Sequence, residues 1–270
     1  MLINMKDKAQ RILQGIIVFL LLSAQGVFAQ VQSKECEAPL VLSTSMDWYP
    51  YLYVNGEGRS TGADVELLRK ILATMGCELS VVHFPERRSI YELKKGNFDV
   101  WLGASLNKER ALQYYYSAEY RHEVNKFVYQ KSDTTLAKVL NFQDIIALDK
   151  IIAVNLAGWY GEEIERSKKH HNNYIYSETV TKRLKMLSLN RVDVVMDDYT
   201  VLCSELSRQP DENLIIHPLA IFKTPIYYMF NKKTVSENFV NQFNAVLAEM
   251  RTTGQLDSHF AEFFPKGCDK

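Results

Sequence analysis

The sequence is poor in the cysteine and histidine patterns that hold metal ions or carry out redox chemistry. It contains four cysteines and six histidines among 270 residues. The cysteines are too far apart for a zinc knuckle or a CxxC redox pair. His170 and His171 are adjacent, so their rings would point in different directions on a helix, and we interpret them as part of a solvated face. We therefore expect neither a metal site nor a cofactor.

The sequence also lacks a net charge and a second long apolar run. Lysine and arginine together number 32, as do aspartate and glutamate. This balance argues against nucleic acid or an anionic membrane surface as a partner. Residues 12–22 form one marked apolar run, which is shorter than the roughly 20 residues of a membrane span. Basic residues precede it and Ala29 follows it, so we expect residues 1–29 to be an export signal, with a membrane anchor as the alternative.

All four cysteines follow the predicted signal. An even number of cysteines in an exported protein favours disulfides, and four cysteines allow three pairings. Cys36 comes just before the first predicted strand and Cys77 just before the second. If those strands are adjacent and parallel, both cysteines lie at the same edge of the sheet, so we favour a Cys36–Cys77 bond. Cys203 and Cys268 are then left to pair.

The most informative stretch runs from residue 88 to residue 110. A short amphipathic helix is predicted first, followed by a buried apolar strand over residues 98–103. The strand leads into Gly103, Ala104 and Ser105, small residues that let a ligand approach the backbone. Because ligands of open α/β sheets bind beyond the carboxyl ends of the strands, this segment is a candidate binding site.

Arg110 lies in the first turn of the helix that follows this strand. Asn107 is suited to cap that helix. A guanidinium beside a helix N-terminus favours an anion, most simply a carboxylate or a phosphate. We therefore expect Ser105 and Arg110 to face the ligand.

A second strand–turn–helix pattern follows later in the chain. Residues 151–154 predict a strand and residues 162–169 a helix. The turn between them contains Asn155, Gly158 and Trp159, and its backbone could form a further nest for an anion. No Gly-Lys-Ser/Thr follows, so a phosphate-binding P-loop is excluded.

Two adjacent acids end another predicted strand, residues 192–196. If Asp197 and Asp198 face Arg110, the site is dipolar: the arginine would bind a carboxylate and one acid an ammonium group. The alternative interpretation is that the acid caps the helix predicted over residues 199–207. Both roles are compatible.

The order of these motifs resembles that of the family-three periplasmic solute-binding proteins, which deliver polar amino acids to ABC importers. The matching stretches, which cover roughly residues 39–264, are LVLSTSMDWYPYLYVN, GADVELLRKI, the 88–110 segment, IIAVNLAGWYG and NRVDVVMDDYT. The resemblance implies an α/β fold of two lobes, the type II periplasmic-binding-protein fold, with the ligand cleft between the lobes. Lobe 1 would comprise residues 36–122 plus 228–270, and lobe 2 residues 123–227.

The resemblance also implies specific ligand contacts. Trp48 matches an aromatic residue that stacks on the ligand, and Asp198 matches the acid that binds its ammonium group. Ser45 stands where relatives often have an acid, Glu86 where they often have an aromatic lid, and Asn155 where some have a cation. These three departures leave open a different small carboxylate or a polar amine. The predicted ligand-binding residues are Ser45, Trp48, Glu86, Gly103, Ala104, Ser105, Arg110, Asn155, Gly158, Trp159 and Asp198, with no catalytic residue and no metal ligand.

We therefore expect a monomeric periplasmic protein, not an enzyme, that captures a small polar solute for an inner-membrane ABC permease. An amino acid is the first expectation for the solute. One alternative is a cyclohexadienyl-dehydratase-like enzyme on the same fold, for which Glu86 and Asp198 are possible general acids. Another is a sensor module whose closed form contacts a signalling receptor.

Overall fold

The computed structural model describes residues 34–44 and 48–268. The predicted export signal and Ser45 lie outside this range. The strands, in chain order, are β1 (Leu40–Thr44), β2 (Tyr53–Val54), β3 (Ser60–Thr61), β4 (Leu79–His83), β5 (Val100–Ser105), β6 (Tyr114–Tyr116), β7 (Arg121–Gln130), β8 (Ile152–Asn155), β9 (Tyr174–Ser177), β10 (Val194–Asp198), β11 (Leu214–Ile216) and β12 (Phe222–Asn231).

The helices surround one large sheet. Short 3₁₀ turns occur at Lys34–Cys36 and Leu136–Lys138. The α-helices of the described residues are α1 (Ala63–Thr74), α2 (Glu86–Lys95), α3 (Lys108–Gln113), α4 (Phe142–Ala147), α5 (Glu162–His170), α6 (Val180–Ser188), α7 (Tyr199–Arg208), α8 (Glu237–Thr252) and α9 (Gln255–Phe263). Within these ranges, no helix has the length and apolarity needed to cross a membrane.

The sheet has a parallel part at each end and an antiparallel pair in the middle. Its order is β4-β1-β5-β12-β7-β10-β8-β9, with β6 on β12 and β11 on β7, and β2 and β3 form a separate hairpin. Strands β4, β1 and β5 are parallel to one another, as are β10, β8 and β9. These two groups form the first and the second lobe, so the predicted two-lobed α/β fold is confirmed.

The strands β7 and β12 connect the two lobes. Each is ten residues long, and they pair antiparallel between Phe222–Asn125 and Ile226–Arg121. The predicted lobe boundaries, 122/123 and 227/228, fall inside these two strands. The exact positions of these two lobe boundaries stay a prediction.

The core of the first lobe is built from the apolar faces of α1 and α8. The apolar face of α1 includes Val65, Leu68, Ile71 and Leu72, and all four side chains are fully buried. Burying a Val, Leu or Ile side chain stabilises the fold by roughly 1.5–3 kcal/mol. In the second lobe, a separate cluster packs α4 and α5 against the sheet, through Phe142, Ile145, Ile152, Val154, Ile164, Val194 and Met196.

Two disulfides tie the ends of the described chain to its interior. Cys36 pairs with Cys77 and Cys203 with Cys268. The favoured Cys36–Cys77 pairing is confirmed. As expected, the strands that follow these two cysteines, β1 and β4, are adjacent and parallel, with Leu40 opposite Leu79. Each bond closes a long loop and is expected to contribute about 2–4 kcal/mol.

Candidate functional site

A cavity of about 120 Å³ lies between the two lobes. The carboxyl ends of β1 and β5 reach it from the first lobe, and those of β8 and β10 from the second. Its lining consists of Ser43, Thr44, Trp48, Leu52, Glu86, Trp101, Leu102, Gly103, Ser105, Arg110, Glu123, Asn125, Asn155, Ala157, Gly158, Trp159, Tyr160, Glu178 and Asp197.

Most of the residues predicted to bind a ligand lie in this lining. They are Trp48, Glu86, Gly103, Ser105, Arg110, Asn155, Gly158 and Trp159. Ala104 is buried in β5 and does not belong to the lining, and neither does Asp198. Ser45 is outside the described residues. The ligand contacts of the whole set stay a prediction.

Arg110 reaches across the cleft from the start of α3. The side chain of Asn107 caps this helix as predicted, because its Oδ1 accepts from the Arg110 backbone N–H at 2.8 Å. The guanidinium Nη2 donates to the carbonyl oxygen of Ala157 in the second lobe at 3.0 Å. A cation at the cavity surface, held by a neutral carbonyl, can exchange that partner for a carboxylate, which forms a stronger charge-assisted bond.

Trp48 forms a wall of the cavity on the side of the first lobe. Its ring lies directly over Gly103, where φ is +68° and where an added Cβ would stand 2.5 Å from the ring atom Cζ3. The indole Nε1 donates to Asp197 Oδ1 in the second lobe at 3.3 Å. Trp48 therefore contributes both an aromatic face and a contact between lobes.

The two adjacent acids at the end of β10 have different environments. Asp198 is fully buried and accepts from the Tyr51 hydroxyl at 2.8 Å, the Val124 N–H at 3.0 Å and the Thr200 N–H at 3.1 Å. The last of these bonds caps α7, as the alternative interpretation expected. Asp197 lines the cavity instead. The acid that faces the cleft is therefore the neighbour of the one that the family pattern indicated.

Asp197 is held by a buried arginine behind the cavity wall. Arg183, on α6, is fully buried and forms an ion pair with Asp197 Oδ2. Its Nη1 also donates to the Ser177 carbonyl oxygen at 2.6 Å. Burial raises the pKa of Asp197, and Arg183 opposes that effect.

Acids outnumber bases on the cavity wall. Four lining residues are carboxylic acids, namely Glu86, Glu123, Glu178 and Asp197, whereas Arg110 is the basic residue among those named in the lining. Burial raises the pKa of Glu86 to about 7 and that of Glu123 to about 8. Since an ionised carboxylate is costly to bury without a partner, the wall favours either bound protons or a cationic ligand.

A second buried network supports the wall from the first lobe. Arg121 donates to Asp64 Oδ1 at 2.9 Å, to Asp64 Oδ2 at 3.0 Å and to Glu123 Oε1 at 2.9 Å. Its guanidinium carbon lies 3.6 Å from the centre of the Tyr51 ring. This network fixes Glu123 at the cavity and connects it to Asp64.

Sequence reasoning missed several lining residues, among them Glu123, Asn125, Tyr160 and Glu178. A signal was present for the first two. Arg121, Glu123 and Asn125 alternate along β7 and are all buried, and buried polar residues with a period of two indicate a polar inner face. Tyr160 and Glu178 follow strands of the second lobe and carry no comparable pattern. Across residues 34–44 and 48–268, no three His, Cys, Asp or Glu side chains are arranged to hold a metal ion.

Comparison with known proteins gives one family and several distant relatives. The family described as bacterial extracellular solute-binding proteins, family 3, matches residues 40–266. A probable amino-acid ABC transporter-binding protein of Haemophilus influenzae is 23% identical, with 94% of each chain covered. A cyclohexadienyl dehydratase of Pseudomonas aeruginosa is also 23% identical, with 83% of each chain covered.

Solved structures share the fold. An ancestral arginine-binding protein bound to arginine superposes with a TM-score of 0.74 at 19% identity, covering 85% of this chain and 100% of that chain. At this identity, the likeness extends to the architecture alone.

Proposed function

Because this chain belongs to the bacterial extracellular solute-binding proteins of family 3, we propose that it captures an amino acid in its interlobe cleft and delivers it to an ABC importer. The observation that carries this proposal is the position of Arg110. Its guanidinium stands at the cavity surface on the first lobe, and the second lobe contributes the acids Glu178 and Asp197 to the same cavity. A zwitterion fits such a pair of opposite charges.

The carboxylate of the amino acid is proposed to bind Arg110. It would take the place of the Ala157 carbonyl, which holds Nη2 at 3.0 Å. The turn of Asn155, Ala157 and Gly158 then faces the same carboxylate from the second lobe. Asn155 shapes this turn, since its Oδ1 accepts from the Ala157 N–H at 2.8 Å and its Nδ2 donates to the Glu178 carbonyl oxygen at 3.1 Å.

The ammonium group is proposed to bind Asp197. This residue replaces Asp198 in the role that the family pattern suggested, because Asp197 lines the cavity and Asp198 does not. Trp48 would cover the ligand from the first lobe. Its indole Nε1 donates to the Asp197 carboxylate that is proposed to bind the ammonium group. Gly103 and Ser105, two further predicted contacts, border the ligand through their small surfaces.

Closure of the two lobes would couple binding to delivery. Residues of both lobes contribute to the site, so a ligand that bridges them favours the closed arrangement by its differential affinity. The importer would then recognise the closed shape. The name of the Haemophilus relative, a probable amino-acid ABC transporter-binding protein, supports the transport role. The proposal includes a periplasmic location, an inner-membrane permease as partner and a monomeric state.

A thermal-shift screen against amino acids, small carboxylates and polyamines tests the proposal. A ligand present at 100 times its dissociation constant adds about 2.7 kcal/mol, which corresponds to a rise of roughly 5–10 °C in the melting temperature. We expect such a rise with an amino acid and its loss in Arg110→Ala. A panel in which no amino acid raises the melting temperature would contradict the proposal.

A second candidate function is the dehydratase, and one observation favours it. Glu86 is a buried carboxyl whose pKa is raised to about 7, in the same cavity as Arg110. Such a group can act as a general acid on a leaving hydroxyl while the arginine binds the substrate carboxylate. Incubation with cyclohexadienyl carboxylates followed by mass spectrometry distinguishes the two functions. A dehydratase returns products that have lost water, and a binding protein returns the compounds unchanged.

A further inference from the structure

Glu86 has an oxygen atom with no partner in the described structure. The side chain opens α2, is only 4% exposed, and lines the cavity from the first lobe. Its Oε2 is buried, and no hydrogen-bond donor of residues 34–44 or 48–268 reaches it. A buried carboxylate oxygen that lacks a donor costs free energy, so it is a place where a ligand donor would be stabilised.

The nearby arginines are already committed elsewhere. Arg183 is paired with Asp197 and with the Ser177 carbonyl, and Arg121 is paired with Asp64 and Glu123. Among the described residues, neither Glu86 nor Glu178 takes part in a salt bridge, and the negative charge of Glu178 adds to the effect of burial in raising the pKa of Glu86. The cavity therefore contains more carboxylate than its own cations neutralise.

The tryptophans of the chain are concentrated at the same cavity. The sequence has three, and Trp48, Trp101 and Trp159 all line it. An aromatic face attracts a cation and also covers the alkyl stem that carries it. Aromatic faces beside uncompensated carboxylates form a site for an alkylammonium or guanidinium group.

We propose that Glu86 accepts a second cationic group of the ligand, so that the preferred solutes are compact amino acids with a cationic side chain. This inference rests on the proposed function, since Arg110 and Asp197 are needed for the carboxylate and the α-ammonium group. Glu86 and Glu178 then receive the side-chain cation from opposite lobes. The cavity of about 120 Å³ favours a short side chain, because a cavity of about 150 Å³ accommodates a molecule of the size of benzene.

Binding of the second cation should release a proton. Burial is the main cause that raises the pKa of Glu86 to about 7. Of the second-lobe groups that act on it, Glu178 and Asp197 raise the pKa further, whereas Arg183 and the Ala157 N–H lower it. Two arginines that follow it on α2 are exposed. A cationic ligand needs the ionised carboxylate, so its affinity should rise as the pH increases from 5.5 to 8, whereas a neutral side chain gains nothing at this position.

Matched pairs of amino acids test the inference by isothermal titration calorimetry. The two members of each pair have carbon chains of the same length, and only the first member carries a terminal ammonium group. The pairs are 2,4-diaminobutyrate with 2-aminobutyrate, ornithine with norvaline, and lysine with norleucine. In the pair that binds most tightly, we expect the wild-type protein to prefer the diamino member by at least tenfold at pH 8. Titrations in two buffers of different ionisation enthalpy measure the proton that binding releases to the buffer. We expect the binding enthalpy to differ between the two buffers for the diamino member only.

Glu86→Gln is the decisive variant, and Glu92→Gln is its matched control. Glu92 lies on the same helix, bonds to Asn97 at 2.6 Å and does not line the cavity. We expect Glu86→Gln to reduce the preference to threefold or less and to abolish the proton release, and Glu92→Gln to change neither. Equal binding of both members of every pair, or a preference that survives in Glu86→Gln, would overturn the inference and leave the proposed function standing. Failure of the wild-type protein to bind any amino acid would overturn both.

Discussion

The ring of Trp48 lies so close to Gly103 that the backbone there has no room for a side chain. An ideal Cβ on Gly103 would stand 2.5 Å from Cζ3 and 2.9 Å from Cη2 of the indole. Position 103 needs glycine for two reasons. Its positive φ is a conformation that other residues rarely adopt, and the Trp48 ring leaves no space for a Cβ atom. The cavity wall on this side thus depends on a glycine that packs directly against an aromatic ring.

Gly103→Ala should displace the Trp48 ring into the cavity and weaken ligand binding by at least tenfold. The matched control is Gly58→Ala. Gly58 also has a positive φ, +79°, but nothing lies within 4 Å of its added Cβ. Both variants should lose about 1 kcal/mol of stability from backbone strain, measured by urea denaturation. Equal affinities of the two variants would contradict a role for the Trp48–Gly103 contact in the site.

Asp197 and Asp198 should respond differently to substitution. Asp198→Asn weakens a buried network of three donors, so we expect a loss of about 1–3 kcal/mol in the free energy of unfolding and a ligand affinity within threefold of the wild type. Asp197→Asn removes the proposed ammonium contact, and we expect at least a tenfold loss of affinity. Calorimetry on the folded protein and urea denaturation measure the two effects separately.

The loss in Asp197→Asn has a structural component that needs its own control. Removing this carboxylate leaves Arg183 buried without its ion-pair partner, which is expected to cost about 3–5 kcal/mol. The double variant Asp197→Asn/Arg183→Met removes the pair together and should recover much of that stability. If the double variant also recovers the affinity, then Asp197 does not bind the ligand.

Glu86 should make the stability of the ligand-free protein fall as the pH rises. Its pKa is about 7 in the folded protein and about 4.3 in an unfolded chain. The folded state therefore binds more protons between these values, and the free energy of unfolding decreases through that window. Relative to the wild type, Glu86→Gln should gain stability from pH 5 to pH 8, by up to about 3 kcal/mol.

A difference curve isolates Glu86 from the other groups that titrate. Glu123 changes stability with the same sign, because burial raises its pKa to about 8. His217 and His259 act with the opposite sign, because burial lowers their pKa values. Subtracting the Glu86→Gln curve from the wild-type curve cancels these shared contributions. A flat difference between pH 5 and pH 8 would show that Glu86 has an ordinary pKa.

The parts of the site that follow from local rules could be predicted. Asn107 and Arg110 were identifiable because capping and charge placement at a helix start depend on a few neighbouring residues. The Cys36–Cys77 bond followed from two adjacent parallel strands. In both cases, the controlling interactions lie within one strand–helix unit or between two neighbouring strands.

The orientation of the acids could not be predicted in the same way. All five residues of β10 are buried, so no alternation of polar and apolar residues reveals which of Asp197 and Asp198 faces the cleft. That choice is fixed by the pairing of Asp197 with Lys126 and Asp198 with Asn125 on β7. Glu178 and Tyr160 reach the cavity through the packing of the second lobe, which no short segment of sequence specifies.

The most direct test of amino-acid binding compares an amino acid with its carboxamide, in the wild-type protein and in Arg110→Met. The amide retains the ammonium group and the side chain and lacks only the carboxylate. We expect the wild-type protein to bind the amino acid at least a hundredfold more tightly than the amide, and Arg110→Met to bind both weakly and equally. A wild-type protein that binds the amide as tightly as the amino acid would contradict the assignment of Arg110 to the carboxylate.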